Sequence, residues 1–438
     1  MKRELTLAIG AALLGASGTV FAITDTETNA SIPFNLSNPG ARSMGMGGAF
    51  VGLADDATAA YTNPAGLTQL VTPEVSVEGR HTDYSIAHVT GGSASFNPFN
   101  GSGINTADAD SSRTNLSFIS FVYPHERWSF AAYRDELVHF RTDFASNSDG
   151  VALALDPVPY QTFPVTANAE LKIVDYGVSA AFRAGDSVSI GAGLSYYDFD
   201  IRTLMTRVAF AGNDLDVPAG TPLNREDQSG SDNDVGVNLG ARFVFSEHWS
   251  AGVTYRQGPK FGYAATTTVF DLSTGAPSVA VDLKNVRFKV PDQFGAGLSW
   301  HPTDALVVNL DADYIQYSQL THGMQSLFGS DATAVSHLSI PNGAEVHLGG
   351  EYTFTQMAHP FSLRAGLWHD PRHSIEYKGD PGEDPSAAAL AALFHGGKGS
   401  QTHVAVGAGF AFAKFQIDAA ADFSDQTDTL SLSGVYHF

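Results

Sequence analysis

The residues that could do chemistry are few, and most are badly spaced for it. His369 and His373 stand four apart, the spacing that would put two imidazoles on one helix face for zinc, but Pro371 between them forbids the helix. No Gly-x-Ser-x-Gly elbow or His-Glu-x-x-His occurs, and Gly45-x-Gly47 stops without a third glycine or a preceding strand. Asp108 and Asp110, like Asp380, Glu383 and Asp384, read as solvated loop tips, since the twelve-residue spacing of a calcium loop is missing. With no cysteine, thiolate metal sites, Cys nucleophiles and disulfides are excluded. The pattern points away from an enzyme and implies no cofactor and no metal. What stands out instead is charge in costly places: Arg134-Asp135-Glu136 inside an alternating strand, and Arg242 and Arg364 among small residues.

The elements that must hold these residues follow from composition and periodicity. Only 16% of the 438 residues are charged, against about a quarter in soluble domains, and the net charge is −22. The acidic balance argues against a nucleic-acid partner, because no basic surplus exists to release counterions. Lys2 and Arg3, the apolar stretch Leu5 to Ala16 and the small-residue site Val20-Phe21-Ala22 predict a signal peptide over residues 1–22. No long uncharged apolar run follows it, so a helical membrane protein is excluded and a β protein is not.

Period two runs through most of the remaining chain. From His403 to Phe412, Val404, Val406, Ala408, Phe410 and Phe412 share one face, with His403, Ala405, Gly407, Gly409 and Ala411 on the other. Val235 to Phe245 splits the same way. A soluble sheet would carry Lys, Glu and Thr on its second face; here that face is Gly, Ala, Ser and Asn, as in a crowded barrel interior whose apolar side meets lipid. Such segments start near Glu74, Asn115, Ser129, Glu170, Ser187, Asp234, Ser250, Lys289, Leu306, Glu345, Phe361, Thr402, Lys414 and Thr429. The expected fold is an all-β transmembrane antiparallel barrel of about 14 strands over residues 73–438. Short links, such as Pro124 to Arg127 and Ser246 to His248, alternate with long ones at 87–113, 141–168, 203–233, 260–288, 319–343 and 371–400. Only the last, Ser424 to Asp428, is short where a long one is due.

Residues 23–72 break the pattern. Turns at Asn38-Pro39-Gly40, Gly45-Met46-Gly47-Gly48 and Asn63-Pro64-Ala65-Gly66 punctuate short helical pieces, with Asp55 or Asp56 as an N-cap. About fifty residues are too few for a good core of their own. They are expected to pack in the barrel lumen as a plug.

The string Ala41-Arg42-Ser43-Met44-Gly45-Met46-Gly47-Gly48-Ala49-Phe50, then Ala54-Asp55-Asp56-Ala57 and Asn63-Pro64-Ala65-Gly66-Leu67, resembles the amino-terminal hatch of the FadL-type outer-membrane transporters. Val290-Pro291-Asp292-Gln293, Gly297-Leu298-Ser299-Trp300 and Asp313 to Leu320 look like paired late strands of that family. The resemblance assigns Gly45, Gly47, Gly48, Asp55, Asp56, Asn63, Pro64 and Gly66 to the hatch. It implies a 14-stranded barrel in the bacterial outer membrane and passive uptake of hydrophobic small molecules, such as long-chain fatty acids or aromatic hydrocarbons. Ligand would be captured in apolar loops and released sideways at an inward kink of the third strand. Arg134, Asp135 and Glu136 fit that kink, since three adjacent charges cannot all face lipid; they also fit the strand's exit from the membrane.

Candidate capture residues are Leu153 and Phe163, Phe210, and Leu390 and Phe394 in a helix-like stretch. Arg242 and Arg364 are candidate partners for a carboxylate, or else pair with lumenal acids such as Asp418 or Glu345. The expected partners are lipid and lipopolysaccharide, a hydrophobic ligand and, through the aromatic carboxy-terminal Phe438, the barrel-assembly machinery; the expected state is a monomer. The alternative function is a structural or secretion-associated barrel that binds proteins.

Overall fold

The computed structural model describes residues 36–95, 102–146, 151–154, 159–161, 164–212, 217–323, 337–380 and 399–438. The expected signal peptide and residues 23–35 lie outside the described residues, as do Phe163, Leu390 and Phe394. Fourteen described strands form one closed antiparallel ring: β1 (Glu74–Ser95), β2 (Ser102–His125), β3 (Trp128–Ala145), β4 (Val165–Arg183), β5 (Val188–Val208), β6 (Pro222–Ser246), β7 (Trp249–Arg256), β8 (Gln293–Thr303), β9 (Leu306–Ile315), β10 (Gly343–Phe354), β11 (Phe361–Asp370), β12 (Gln401–Ala411), β13 (Phe415–Phe423) and β14 (Thr427–His437). Each pairs with its successor, and β14 closes on β1 from Glu74–His437 to Tyr84–Thr427. No described helix is long and apolar enough to cross a membrane.

The alternation explains the closure. Val404 and Val406 are 47% and 48% exposed while Ala405 between them is 1% exposed, an apolar-out pattern that only a lipid surround stabilises. Aromatic residues ring both ends of the apolar band, with exposed Trp128, Trp249 and Trp300 near the short turns and exposed Tyr176, Tyr196 and Tyr314 at the other margin. From Trp300 to Phe294 the strand runs six residues, about 20 Å at some 3.3 Å per residue.

Strand length is uneven. β7 to β14 have 8 to 12 residues, close to the roughly 9–11 that one crossing needs, whereas β1 to β6 have 18 to 25. The stretches expected as long loops at 87–113 and 203–233 are therefore largely strand: β2 begins at Ser102 rather than Asn115, and β6 at Pro222 rather than Asp234. Beyond the bilayer neither face meets lipid, so Asp108 to Ser112 and Arg225 to Asn233 carry no apolar alternation to read. The hairpin Lys260–Phe270 and Pro277–Lys289 extends the tall side by pairing with β6 from Ala264–Ser229 to Val269–Asn224.

Inside the ring, the amino-terminal segment contains α1 (Ala41–Gly45), α2 (Ala59–Thr62) and a 3-10 turn (Pro64–Gln69). Asn63 caps that turn, accepting from Ala65 N at 3.2 Å, with Pro64 at its first position. Thr58, not Asp55 or Asp56, occupies the N-cap position of α2; Asp56 lies two residues before it and accepts from Thr58 N at 2.9 Å.

Candidate functional site

The segment between Leu36 and Pro73 touches strands all round the ring. Asp311 of β9 accepts from Phe50 N at 2.5 Å and Val51 N at 2.6 Å; Asn238 of β6 donates to Tyr61 O at 2.7 Å; Ser433 of β14 accepts from Ala41 N at 3.2 Å. Backbone meets backbone where side chains are smallest. Gly47 has φ of 63°, a conformation open to glycine, and a Cβ on Gly366 of β11 would strike its backbone. The same holds for Gly349 of β10 against Met46. The small-residue face of the strands is thus the seat of this segment.

Ion pairs fix it further. Arg42 forks onto Glu351 at 3.0 and 2.9 Å and reaches Asp55 at 2.6 Å and Asp56 at 3.6 Å. Burial pushes the Asp56 carboxyl above its ordinary range, against the pull of Arg42. Arg364 meets Glu351 at 2.5 Å and Asp418 at 2.7 Å. Of its two expected acid partners, Asp418 is the one that pairs; Glu345 accepts from Tyr317 instead. Arg242 has Asp55 and Arg183 as its electrostatic neighbours. Neither arginine lines the cavity described next. Gly45 and Gly66 are packed within the segment's contacts, Gly45 on Gly407 and Gly66 on Ala54, and Gly48 lies on His347.

Above the segment lies a cavity of about 220 Å³. Met44, Gly47 and Gly48 form its floor, Tyr84, Asn115, Glu136 and His139 one wall, and Tyr317, Trp368 and His403 the other. The first wall is where the barrel parts. The β2–β3 ladder stops at Phe118–Asp135, although β1–β2 continues up to Ala94–Ser102 and β3–β4 up to Ala145–Thr166. Both flanking strands bulge there: β2 skips Ser117 against β1, and β3 skips Leu137 against β4. The extra residue flips the phase of β3: Ala131, Tyr133 and Asp135 are buried below it, and Val138, Phe140, Thr142 and Phe144 above it.

Side chains stand in for the missing ladder. Arg134 donates to the carbonyls of Leu116 and Ser117 and pairs with Glu136 at 2.8 Å. Asn115 donates to Glu136, and Arg113 contacts His139 and Glu170. Higher up, the Tyr84 hydroxyl donates to Arg141 O at 2.6 Å and accepts from Arg141 N at 2.8 Å, replacing both bonds of an absent strand neighbour. Asp135 faces Asp175 across β3–β4, and Tyr133 donates to Asp175 at 3.2 Å.

The sequence did not single out Tyr84, Asn115, Arg113 or His139, because they meet their partners only across strands and share no local spacing. Leu153 belongs to a short strand, Val151–Ala154, that pairs in parallel with β1 from Gly92 to Ser95. Phe210 is half-buried, two residues past β5. His369 points out of β11 while His373 follows the strand and lines the cavity, so the pair does not converge. No metal-binding cluster occurs among the described residues.

A closed ring with an apolar belt, aromatic margins and a polar interior is a transmembrane β-barrel of the outer-membrane type. The chain belongs to the family described as outer membrane protein transport protein (OMPP1/FadL/TodX), whose profile matches residues 22–378. It is thus an outer-membrane protein of a family of channels for hydrophobic compounds, not of enzymes. Similar solved structures include a Pseudomonas aeruginosa FadL homologue, 15% identical over 93% of this chain and 99% of that one, TM-score 0.63. The Pseudomonas putida toluene transporter TodX is 14% identical over 92% and 98%, TM-score 0.55. The monoaromatic hydrocarbon channel CymD is 15% identical over 92% and 99%, TM-score 0.57. No sequence among curated proteins matches this chain.

Proposed function

We propose that the chain takes up hydrophobic small molecules, long-chain fatty acids or aromatic hydrocarbons, by holding them in the cavity above the amino-terminal segment and releasing them sideways between β2 and β3. In this reading the amino-terminal segment is a hatch that blocks axial flow. Arg134, Asp135 and Glu136 form the base of the lateral exit.

One observation carries the reading: Asn115 and Ser117 of β2 and Glu136, Val138 and His139 of β3 line the same cavity from either side of the parted ladder. Arg134, one of the bridging side chains, is registered against exposed Tyr176, so the ladder parts at the height of the outer aromatic margin. Neither the toluene named for TodX nor the aromatic hydrocarbons named for CymD needs an aqueous pore, which agrees with a filled lumen.

The test is transfer of toluene and of a long-chain fatty acid into vesicles carrying the purified protein. Faster transfer than in protein-free vesicles, abolished when the seam is blocked by Ser117→Trp, is the expected result. Failure with both compounds, alongside a co-purifying protein, would return the chain to the alternative of a structural or secretion-associated barrel.

A further inference from the structure

The cavity wall opposite the seam carries polar groups that neither a bare hydrocarbon nor a carboxylate satisfies. On β12, buried His403 places Nδ1 2.6 Å from one oxygen of Asp422, and Trp368 donates Nε1 to the other at 2.8 Å. An ionised carboxylate only accepts, so Nδ1 carries a proton, and in the neutral imidazole Nε2 is then the ring's acceptor. Stacking on Trp368, at 3.7 Å between centroids and 21° between planes, fixes the imidazole's orientation. Nδ1 makes the ring's one hydrogen bond among the described residues, and the side chain lines the cavity.

A second imidazole repeats the arrangement on the same wall. His373 Nδ1 lies 3.3 Å from Asp370 and 3.0 Å from Pro371 O, with the ring stacked on Tyr317 at 4.4 Å. The cavity therefore presents two carboxylate-oriented imidazoles alongside Glu345, Asp370 and Asp422.

We infer that this wall is a subsite for a neutral hydroxyl, the preferred ligand being a small apolar molecule that bears an alcohol or phenol group donating to His403 Nε2. A hydrocarbon would strip water from that nitrogen and replace it with nothing. A carboxylate head would meet three carboxylates, while the arginines of the facing wall, Arg80 and Arg113, lie 2.7 Å from Glu78 and 3.3 Å from Glu170. A hydroxyl supplies the missing donor without adding charge.

This subsite rests on the uptake reading above, and the experiment keeps the two apart. Trp368 is made the only tryptophan by replacing exposed Trp128, Trp249 and Trp300 with Phe, and its emission is followed while benzyl alcohol, toluene and benzoate are titrated. Benzyl alcohol is expected to bind about three- to tenfold more tightly than toluene, the worth of one net hydrogen bond, with benzoate weakest. His403→Phe should erase the preference while keeping toluene binding. His403→Gln, which still offers an acceptor, should restore part of it. Heat-modifiable migration reports folding of each variant. Equal binding of the three probes, a preference for benzoate, or a His403→Phe variant that folds and loses toluene and benzyl alcohol alike would overturn the subsite. Toluene transfer into vesicles without any alcohol preference would sink the subsite and leave uptake standing; alcohol preference without any transfer would do the reverse.

Discussion

Tyr84→Phe is the sharpest probe of the parted wall. It removes one oxygen and keeps the ring, whose contact with Phe140 at 5.6 Å between centroids should persist. That oxygen serves two backbone groups, Arg141 O at 2.6 Å and Arg141 N at 2.8 Å. An unpaired buried polar group costs about 1–3 kcal/mol, and the low end applies because water reaches this part-buried site. Two groups at about 1 kcal/mol each weaken the closed state by about 2 kcal/mol, or roughly thirtyfold in the equilibrium between closed and parted strands. The readout is amide hydrogen exchange of the peptide containing Arg141 in vesicle-embedded protein, with the peptide containing His347 as a rigid control. Exchange at Arg141 should accelerate by about that factor while the control stays put, and toluene transfer should quicken if parting limits it. Unchanged exchange at Arg141 would show that the hydroxyl does not hold the upper half of β3, and the account of the seam would fall with it.

Other expectations are simpler. Arg364→Met leaves Asp418 and part of Glu351 as buried unpaired acids, so the unfolding transition should drop by about 3–5 kcal/mol; Asp418→Asn in the same background should recover part of that loss. Gly366→Val puts a branched side chain where Gly47 sits, and should dislodge the amino-terminal segment, read as higher single-channel conductance and protease cleavage near Gly47. Phe199→Ala empties the stack that Phe199 forms with Phe261 at 4.5 Å and Phe288 at 6.0 Å, at a cost of about 3–5 kcal/mol measured in denaturant, with the barrel strands still formed by circular dichroism.

Strand number and the inside–outside sense of each crossing were legible in the sequence because lipid imposes a strict alternation. Val404, Val406 and Phe410 against His403, Ala405 and Gly409 show it as clearly in the sequence as in the structure. That rule ends where the bilayer ends. Ser102 to Thr114 and Pro222 to Asn233 are strands with water or protein on both sides, so they read as polar loops. The bulge near Arg134-Asp135-Glu136 left a trace, since a phase change must interrupt alternation. The wall that carries Trp368, His403 and Asp422 left none: these three lie on three strands, brought together by register alone, Trp368 opposite His403 and each within reach of Asp422. Arg364 shows the converse limit, for its inward direction was readable and its commitment to Glu351 as well as Asp418 was not.

The uneven height of the wall has a consequence for how barrels sit beside one another. Apart from the β2–β3 seam, a ring that closes within the membrane has no edges there, but the taller arc standing above it must end on each side in a strand with an unshared flank. On one side that strand is the upper part of β1, and Val151–Ala154 occupies its flank by parallel pairing. On the other it is Pro277–Lys289, bonded to Lys260–Phe270 on one flank, with the 3-10 turn Tyr317–Gly323 packed against it. Its own sequence opens on a proline and carries Arg287 and Lys289. Proline, repeated cations and a covering turn make a poor template for a foreign strand. In a crowded membrane, sheet-to-sheet growth between neighbouring copies is thus discouraged at both ends of the arc.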